Sequence, residues 1–465
     1  MVDREGGTNV TAMEIMRSDY VVIGAGAMGL ALTDVLLDET DATITMVERR
    51  DRPGGHWNDA YPFVRLHQPS AFYGVNSVEM SAGRIDERGG NAGLAELATG
   101  TEVCAYFDRL VEGKFLGSGR VTYLPRHDYA DGHATSLLTG ATVDIEAGTR
   151  IIDCTYMKVR VPSMGAPTYD VDDAVTCIPP NGLPGLSGSD RRFVVIGAGK
   201  TALDACLWLL DHGLDPERIT WVRPRDAWML NRAKLQPGSS GGWGLVEQLE
   251  LAAAAATVDE LFDGLEQSGQ LLRLDREVRP TMYRCATVTE RELDALRAIT
   301  DVVRLGHVRR LAPGEVILDE GTVATESSAV FVDCTADGLA RLPAVDVFTD
   351  GRITAQPVRY CQQVFSAAFI GHVEAAYDDD AVKNEMCRPI PHPDDDLDWL
   401  RIIRATLVNQ ITWLQDPGLI EWLGASRLDA FSSDEAPTAA DAELSNRIAV
   451  AAFGAVNNLQ RLLDE

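Results

Sequence analysis

Two glycine-rich turns are the parts of this chain best suited to chemistry, because the segment VVIGAG occurs twice, at 21–26 and at 194–199. In the first copy Gly24, Gly26 and Gly29 have the spacing Gly-x-Gly-x-x-Gly. Gly24 allows a tight turn, Gly26 lets the backbone approach a pyrophosphate, and Gly29 lets a following helix lie close on the preceding strand. The amides at the start of that helix would face the phosphates, so the spacing predicts a dinucleotide-binding site.

The elements around the first turn are those that such a site needs. A short apolar strand is expected at 20–23, a helix at 30–37, and a second strand at 43–47 that ends at Glu48. A carboxylate at the end of the second strand can accept hydrogen bonds from the ribose hydroxyls of an adenosine. Glu48 and its neighbour Arg49 therefore complete the predicted first site, which suits a nucleotide without a 2′-phosphate.

The second copy repeats the turn with one small substitution. Gly197 and Gly199 take the places of the first two glycines, and Ala202 takes the third, where a small residue is permitted. Lys200 and Thr201 stand between them at the start of the expected helix, and both are assigned to the predicted site. The second copy thus predicts another dinucleotide fold.

The charge at the end of the next strand separates the two sites. The strand at 219–222 ends at Arg223, where the first copy has Glu48, and Arg225 follows two residues later. A carboxylate would repel a 2′-phosphate, whereas a guanidinium binds it with paired hydrogen bonds. The second site is therefore predicted to prefer NADPH, although Arg223 could also be a solvated loop residue. Flavin–nicotinamide enzymes use one site of each kind.

The stretch that follows the first fold resembles a known family. The motifs Gly54-Gly55-x-Trp57, Tyr61-Pro62-x-x-Arg65 and Pro69-Ser70-x-x-Tyr73 are similar to those of the flavin monooxygenases with two dinucleotide-binding domains, which include the flavin-containing and the Baeyer–Villiger monooxygenases. The resemblance extends from about residue 18 to 375 at the level of motifs. It implies FAD in the first fold, NADPH in the second, and a C4a-(hydro)peroxyflavin that oxygenates a small organic substrate.

The resemblance also implies roles for single residues. Gly55, His56 and Trp57 would contact the flavin, and Arg65 would steady NADP⁺ or the peroxyflavin. His67 stands where the Baeyer–Villiger enzymes carry an acidic residue near the nicotinamide, and it could carry a proton near the flavin. Two alternatives stay open, with Trp57 as a simple core aromatic and His67 as a structural histidine.

Two Asp-Cys-Thr segments indicate where the chain crosses between the folds. Residues 149–157 and 329–337 each run from an apolar strand into this tripeptide. Such segments resemble the crossovers of the family, and Gly338, directly after the second, would lie close to the FAD.

A later segment is expected to complete the flavin site. Within 365–385 the sequence predicts an apolar strand, then Gly371, then a helix. In the family the matching helix start points its amides at the flavin pyrimidine, where it would stabilise negative charge on the reduced flavin. Gly371 and the adjacent His372 are therefore assigned to the predicted FAD site.

These elements predict an α/β fold in which an NADPH-binding domain is inserted into an FAD-binding domain. The expected ranges are 1–186 and 333–390 for the FAD domain, 187–332 for the NADPH domain, and 391–465 for a C-terminal helical segment. Within the NADPH domain, 228–288 is unlike a simple nucleotide fold: a flexible loop is expected at 237–244, followed by a helix-prone run. The insertion either covers the nicotinamide or is a structural excursion, and the C-terminal helices are either a cap or an oligomer contact.

One expected feature of the family is missing. The family carries a glycine, a histidine and an aromatic residue shortly before the second turn, whereas 157–188 contains no histidine. An FAD/NAD(P)H oxidoreductase or oxidase that never inserts oxygen is therefore a second interpretation, and a non-catalytic nucleotide-binding scaffold is a third. No two of the eight cysteines lie closer than 23 residues, so neither disulfide chemistry nor a metal site is expected.

Composition limits the partners. The chain has 465 residues and a formal net charge of −28, which would be repelled by nucleic acid and by anionic membranes. No run approaches the roughly 18 apolar residues of a membrane helix, and the first 19 residues lack the basic start and apolar core of a secretory signal. A cytoplasmic enzyme is expected, with a small-molecule substrate and O₂ as partners, and a specialised biosynthetic pathway is its expected setting.

Overall fold

The computed structural model of the chain describes residues 15–186, 191–336, 338–429 and 439–465. The strands of this part are β1 (Ile15–Met16), β2 (Tyr20–Ile23), β3 (Ile44–Glu48), β4 (Val121–Pro125), β5 (His127–Ala130), β6 (His133–Ser136), β7 (Thr142–Ile145), β8 (Arg150–Asp153), β9 (Asp170–Val171), β10 (Thr176–Ile178), β11 (Phe193–Ile196), β12 (Ile219–Val222), β13 (Ala227–Asn231), β14 (Leu271–Leu272), β15 (Met282–Val288), β16 (Val302–Val303), β17 (Val308–Ala312), β18 (Glu315–Leu318), β19 (Gly321–Ala324), β20 (Val330–Asp333), β21 (Phe348–Thr349) and β22 (Arg352–Thr354). The α-helices are α1 (Ala27–Glu39), α2 (Gly100–Leu110), α3 (Lys200–Asp211), α4 (Ser239–Ala254), α5 (Val258–Gln267), α6 (Glu290–Arg297), α7 (Gln363–Ala376), α8 (Asp380–Met386), α9 (Asp398–Trp413), α10 (Pro417–Ala425) and α11 (Ala439–Asp464).

The first nucleotide domain is built on a six-stranded sheet in the order β21-β22-β8-β2-β3-β4. Neighbouring strands are parallel except β21, which pairs antiparallel with β22. The apolar β2 and β3 are largely buried, as expected of parallel strands covered on both faces. Helix α1 joins β2 to β3 and packs against α7. The predicted strand–turn–helix–strand unit is confirmed.

The second nucleotide domain has a wholly parallel sheet in the order β10-β20-β11-β12-β16. Strand β10 belongs to this sheet, and β9 pairs with β17 in the adjoining four-stranded sheet. The second sheet therefore includes residues upstream of residue 187, where the second domain is expected to begin. The chain then returns through β21, β22 and α7 to the first sheet, so the second domain is inserted in the first.

The insertion and the C-terminal helices share a further hydrophobic core. Strands β14, β13 and β15 form a small sheet, and α4, α5, α9 and α11 pack with it around Trp228, Phe262 and Trp399. Helix α11 lies along α4. The C-terminal helices that the sequence predicted are present, and they cover the insertion of their own chain. We call this assembly the helical unit.

The flexible loop expected at 237–244 is wrong for most of its length, because α4 begins at Ser239. The glycines of this stretch are places of close packing. A methyl group at Gly242 would lie 2.6 Å from Cδ2 of Leu444 on α11. The glycine-rich composition therefore lets two helices approach each other, and it does not mark a loop.

The strand expected within 365–385 is also wrong. Residues 363–376 form the single helix α7, with Gly371 in its interior and not at its start. A methyl group at Gly371 would lie 3.0 Å from the carbonyl oxygen of Leu32 and 3.3 Å from Cβ of Val35, both on α1. Gly371 thus allows α7 to pack closely on α1. The strand was predicted because the pattern of a short apolar run does not distinguish a buried strand from a buried helix.

His372 does not face the first glycine turn either. Its Nδ1 lies 2.6 Å from Oε2 of Glu39, and its ring stacks on Trp422 at 4.7 Å between centroids. The side chain therefore joins α7 to the end of α1 and to α10. These contacts give His372 a structural role, and its assignment to the FAD site stays a prediction.

A disulfide links Cys285 on β15 to Cys361, two residues before α7. The other six cysteines are free thiols. The expectation of no disulfide chemistry is wrong because the two partners are 76 residues apart in sequence, so local spacing rules cannot pair them.

No helix in the described ranges is long and apolar enough to cross a membrane. The same residues include no group of three or more His, Cys, Asp or Glu side chains placed to hold a metal ion.

The contact between α7 and α1 predicts the effect of a methyl group at Gly371. Gly371→Ala should lower the free energy of unfolding by about 1–3 kcal/mol, because the new Cβ meets backbone and Cβ atoms that cannot move aside. Gly424→Ala in α10 is the matched control, since a Cβ there meets nothing within 4 Å, and it should be neutral or stabilising. Urea unfolding of both variants checks this, and equal stability of the two would contradict the packing described.

Candidate functional site

The two glycine turns occupy equivalent positions in the two sheets. In the first sheet Ile23 is in register with Val47, and the Gly24 amide donates to the Val47 carbonyl at 2.8 Å. In the second sheet the equivalent partners are Ile196 and Val222, with a 3.0 Å hydrogen bond from the amide of Gly197 to the carbonyl of Val222. The residues that follow, Glu48 and Arg223, therefore stand at the same place, as the sequence predicted.

The first turn has two glycines that packing requires and one that it does not. Gly24 has a φ of +93°, and a methyl group there would lie 2.9 Å from Cγ2 of Thr155. At Gly29 a methyl group would lie 2.0 Å from the Gly24 carbonyl oxygen. At Gly26 the nearest atom would be Cα of Gly55 at 3.7 Å, which is ordinary contact. Gly26 therefore leaves room over the turn that the protein itself does not need.

Glu48 closes the first turn from the side. It is only 3% exposed, and its two carboxylate oxygens accept hydrogen bonds from the backbone amides of Ala25 (2.7 Å) and Arg50 (2.8 Å). Arg50 in turn reaches Asp59. The neighbouring Arg49 lies exposed, 3.4 Å from Asp128. Strand alternation, which turns successive side chains to opposite faces, could have indicated that Arg50 and not Arg49 shares the face of Glu48. The assignment of Arg49 to the FAD site stays a prediction.

The Asp-Cys-Thr segments have the same geometry in both domains. The Asp153 carboxylate accepts hydrogen bonds from the amide and hydroxyl of Thr155, and the Asp333 carboxylate accepts the same pair from Thr335. The amide of each cysteine bonds to the last strand residue before a glycine turn, at 3.1 Å in the first domain and 2.9 Å in the second. Each crossover therefore begins with a rigid turn pressed against a glycine.

Gly338 lies in the second of these crossovers. It has a φ of +54°, and its carbonyl accepts a 2.8 Å hydrogen bond from the amide of Arg160 in the first crossover. The two connections between the domains are thus paired with each other. This contact gives Gly338 a structural role, and its predicted approach to FAD stays a prediction.

The second turn is more open than the first. Gly197 has a φ of +132°, and a methyl group there would lie 2.9 Å from the Cys334 carbonyl oxygen, whereas one at Gly199 would meet nothing within 4 Å. Lys200 and Thr201 begin α3, as expected. The Lys200 ammonium pairs with Asp204 one turn further along the helix. The start of α3 therefore presents backbone amides over free space.

The two predicted phosphate ligands are both engaged with carboxylates. Arg223 is completely buried, lies 4.4 Å from the ring of Trp221, and has Nη2 3.2 Å from Oδ1 of Asp226. None of its guanidinium nitrogens makes a well-oriented hydrogen bond, and burial lowers its pKa. Arg225 pairs at 2.7 Å with Asp394 ahead of α9. The interpretation of Arg223 as a solvated loop residue is wrong, because the residue is buried. The assignment of both arginines to a 2′-phosphate stays a prediction.

A polar cluster joins the domains beside the second turn. The Tyr61 hydroxyl donates to Oδ2 of Asp204 at 2.6 Å, which brings the first domain onto α3. Arg232, 1% exposed, donates from Nε to the His67 carbonyl at 2.9 Å. Burial raises the pKa of Tyr61 well above its ordinary value, so its hydroxyl stays protonated. The sequence motifs placed Tyr61 in this region, but nothing in them pointed to Asp204 or Arg232.

His67 belongs to this cluster but cannot carry a proton at ordinary pH. Its ring keeps some solvent contact yet lies deep in the protein, and Nδ1 is enclosed without a hydrogen-bond partner. Burial, together with the positive charges of Lys200 and Arg232, lowers the pKa of His67 to about 3. The imidazole is therefore neutral, and its role as a proton carrier is not supported by this environment.

Arg65 lies apart from the cluster. Its side chain is 53% exposed, and its Nη1 is 3.7 Å from Oδ2 of Asp86. With Arg84 and Arg109 it lines a separate surface pocket of about 260 Å³. The structure does not bring Arg65 together with His67, and the role predicted for Arg65 stays a prediction.

The aromatic residues after the first fold make a compact wall. Trp57 donates from Nε1 to the Tyr73 hydroxyl at 2.7 Å and stacks beside His56. Burial and the nearby Arg50 lower the pKa of His56 to about 4. Gly55, with a φ of +56°, lies across the first glycine turn. Trp57 packs against the core of the first domain, so its interpretation as a core aromatic agrees with these contacts.

A further cavity lies elsewhere. It measures about 330 Å³ and lies between the two crossovers and residues 390–398, with Tyr156, Ala340 and Gln356 in its wall. No predicted site residue lines it. Space for a ligand is therefore best sought at the turns themselves, where backbone amides converge.

Comparison with known proteins places the chain in a family. Residues 22–75 match the NAD(P)-binding Rossmann-like domain family. The chain is 51% identical over 418 residues to uncharacterized protein Rv2000 of Mycobacterium tuberculosis, covering 89% of this chain and 78% of that protein. Uncharacterized protein Mb2023 of Mycobacterium bovis matches with the same values. The chain therefore belongs to the same family as these mycobacterial proteins.

Several solved structures with a similar course of the backbone are named as monooxygenases. They include a closed crystal structure of cyclohexanone monooxygenase, at 15% identity and a TM-score of 0.49 over 96% of this chain and 98% of that one. Oxidized steroid monooxygenase bound to NADP has 13% identity and a TM-score of 0.49 over 94% and 98%. A flavin-containing monooxygenase from Stenotrophomonas maltophilia has 15% and 0.45 over 78% and 98%. The resemblance expected from the motifs is found again, and at these values it concerns the course of the backbone alone.

The lowered pKa of His67 predicts a pH dependence of stability. In the unfolded chain a histidine titrates near pH 6.5, so between that value and about pH 3 the unfolded state takes up a proton that the folded state does not. The free energy of unfolding should fall as the pH drops through this window, by up to about 2 kcal/mol at pH 5. In His67→Gln this part of the fall should be absent.

Urea unfolding at pH 7.5 and at pH 5 measures the difference. Because the pKa of His56 is also lowered, His56→Gln/His67→Gln should be flatter still. If His67→Gln were as sensitive to pH as the unmodified protein, His67 would not be enclosed as described.

Proposed function

We propose that the chain is an FAD-dependent monooxygenase that oxidises NADPH and inserts oxygen from O₂ into a small organic substrate. The observation that carries this proposal is the pair of glycine turns, which share one construction but end in residues of opposite charge, Glu48 and Arg223. Two nucleotide folds with opposite charges at the position that contacts the ribose suit two different coenzymes.

The first turn fits FAD. The N-terminal amides of α1 lie beside Gly26, where the absence of a side chain would let a pyrophosphate approach. Two backbone amides use only part of the capacity of the Glu48 carboxylate, which has about four acceptor sites. The remaining sites can receive the ribose hydroxyls of the adenosine.

The second turn fits NADPH if Arg223 changes partner. Its guanidinium nitrogens lack well-oriented acceptors, and a 2′-phosphate would supply them. Asp226 is also bound by Arg304, with Nε 2.7 Å from Oδ2, so it would keep a partner if Arg223 left. The exchange would therefore leave no carboxylate unpaired.

Bound flavin would supply hydride acceptance and oxygen activation. The residues of this chain would bind and orient it: the amides of the first turn, Glu48, and the wall formed by Trp57 and Tyr73. The neutral His67 could accept a hydrogen bond at Nδ1, which has no partner of its own. The polar cluster with Tyr61 would hold the second turn against the first domain while the two coenzymes meet.

A flavin oxidoreductase or oxidase that releases H₂O₂ remains the second candidate, because no histidine stands in 157–188, where the resembled family carries one. The nature of the substrate and its place in a biosynthetic pathway belong to the same proposal. They rest on the resemblance of motifs, because the relatives that share half of the sequence are themselves uncharacterized.

The open glycines allow a test that separates binding from folding. Gly26→Ala should weaken FAD binding at least tenfold, which corresponds to about 1.4 kcal/mol, and Gly199→Ala should do the same for NADPH alone. Both glycines have ordinary negative φ and room for a methyl group, so the ligand-free variants should unfold at the temperature of the unmodified protein. Flavin absorbance and equilibrium titration measure the two affinities.

A colourless protein that takes up no FAD would contradict the proposal at its first step. With FAD bound, the products of NADPH oxidation decide between the candidates. Oxygenated substrate formed in proportion to NADPH supports the monooxygenase, whereas H₂O₂ alone across a substrate panel supports the oxidase.

The coenzyme preference has its own test. Arg223→Ala should raise KM for NADPH about 10- to 100-fold and leave KM for NADH nearly unchanged, because one charged contact to the 2′-phosphate is lost. Arg225→Ala is the control, since Arg225 is held by Asp394 and should have the smaller effect. Steady-state kinetics with both nucleotides measures the four values. Equal changes for NADPH and NADH in Arg223→Ala would show that Arg223 does not read the phosphate.

A further inference from the structure

The disulfide between Cys285 and Cys361 joins two parts of the molecule that are 76 residues apart in sequence. Cys285 lies on β15 in the insertion of the second domain, and its side chain is part of the core of the helical unit. Cys361 lies just before α7 of the first domain, and its side chain packs against the core of the helical unit. The bond is therefore a covalent tie between the helical unit and the first domain.

The backbone is shaped around this pair on both sides. Cys285 has a φ of +56°, at a bulge where the pairing of β13 and β15 slips. Tyr360, next to Cys361, has a φ of +45°, and its hydroxyl contacts that of Tyr283. Positive φ is uncommon for residues other than glycine. The backbone therefore has an uncommon conformation on both sides of the disulfide, at Cys285 and at Tyr360.

The remaining cysteines show that the disulfide is not a general staple. Six of the eight are thiols, and burial raises the pKa of Cys154, Cys206 and Cys334. A chain of 465 residues has enough core to fold without cross-links, whereas structural disulfides are concentrated in small secreted domains. In a reducing compartment a disulfide is more often transient, catalytic or redox-sensing than structural.

The two sulfurs differ in accessibility. Cys285 is 3% exposed, whereas Cys361 is only partly buried. An incoming thiolate must approach the sulfur that it attacks, so the exposed side of the bond decides where exchange begins.

We propose that Cys285–Cys361 is a thiol-exchange site, entered at Cys361 by a small dithiol, that releases the helical unit from the first domain when it is reduced. One thiolate of the dithiol attacks Sγ of Cys361, the S–S bond breaks, and Cys285 leaves as a thiolate and takes up a proton. The second thiolate of the dithiol then attacks its own mixed disulfide, and Cys361 leaves and is protonated. The dithiol is oxidised to a disulfide, and the protein gains two thiols.

Release would loosen the contact without dissolving it. The segment before α7 is also held by α9, through hydrogen bonds from Asn409 to the Val358 carbonyl and from the Tyr360 amide to Thr406, both at 2.8 Å. Reduction should therefore increase local opening of 282–288 and 357–362 and leave the two nucleotide sheets intact. The inference does not depend on the proposed activity.

Thiol counting tests the bond itself. Protein purified without reductant, denatured and treated with N-ethylmaleimide should take up six labels, and eight after the folded protein has been incubated with dithiothreitol. Cys177→Ser is the control, because it removes a free thiol and should give five and seven. Eight labels without reductant, or a pair that reduces only after unfolding, would overturn the proposal.

The point of entry is tested by two single variants. In Cys285→Ser the freed Cys361 should react with N-ethylmaleimide in the folded protein at least tenfold faster than Cys285 does in Cys361→Ser. Amide hydrogen exchange should rise at 282–288 and 357–362 on reduction, and the melting temperature should fall by about 2–8 °C. Equal labelling rates, or exchange unchanged by reduction, would contradict the proposal, and the wild-type measurements stand even if a variant does not fold.

Discussion

Contact of backbone on backbone, with no side chain between, is the constraint on which this structure depends. A methyl group at Gly29 would lie 2.0 Å from the carbonyl of Gly24, and one at Gly197 would lie 2.9 Å from that of Cys334. Each contact brings a helix start, a strand end and a crossover to one point. The amides that a phosphate needs are thus exposed by the same packing that orders the sheet, so the site and the fold cannot be separated.

The two domains handle buried charge differently at equivalent positions. Glu48 is satisfied by backbone amides, which makes its carboxylate a stable part of the turn. Arg223 has an aromatic ring and one carboxylate, and its nitrogens lack well-oriented hydrogen bonds. A buried guanidinium is costly unless its donors are paired. The buried charge of the second site therefore has fewer of its hydrogen bonds made than that of the first, and an anionic ligand would stabilise it more.

The parts of the fold that depend on local pattern were predictable from the sequence. The strand–turn–helix units, the equivalence of Glu48 and Arg223 and the matching Asp-Cys-Thr turns follow from short runs whose chemistry is decided by near neighbours. The helical structure of α7 was not predictable, because the apolar run FSAAFI is compatible with a buried strand and with a buried helix. The close packing of Gly371 on α1, which is a tertiary contact, distinguishes the two. The glycines of α4 predicted a flexible loop for a similar reason, because only the packing of Gly242 against α11 shows that they belong to a helix.

The candidate site divides along the same line. Residues placed by a turn, such as Gly26 and Gly199, stand beside helix starts as their spacing predicted, and their contact with a cofactor stays a prediction. The surroundings of residues placed by tertiary contact were not predicted: Arg223 is covered by Trp221, His372 belongs to a helix junction, and Cys285 finds its partner 76 residues away. Side-chain burial and long-range pairing are properties of the assembled cores, and no local spacing encodes them.

The helical unit has a consequence for the order in which the chain can be made. Its core combines residues from 228 to 285 with others from 390 to 463, so the insertion has no cover of its own when it leaves the ribosome. Both nucleotide sheets can close before the last hundred residues are synthesised, but the apolar faces of α4 and α5 must wait for α9 and α11. The helical unit can therefore fold only after the C-terminal helices have been synthesised, and a truncated chain would expose the apolar faces of α4 and α5.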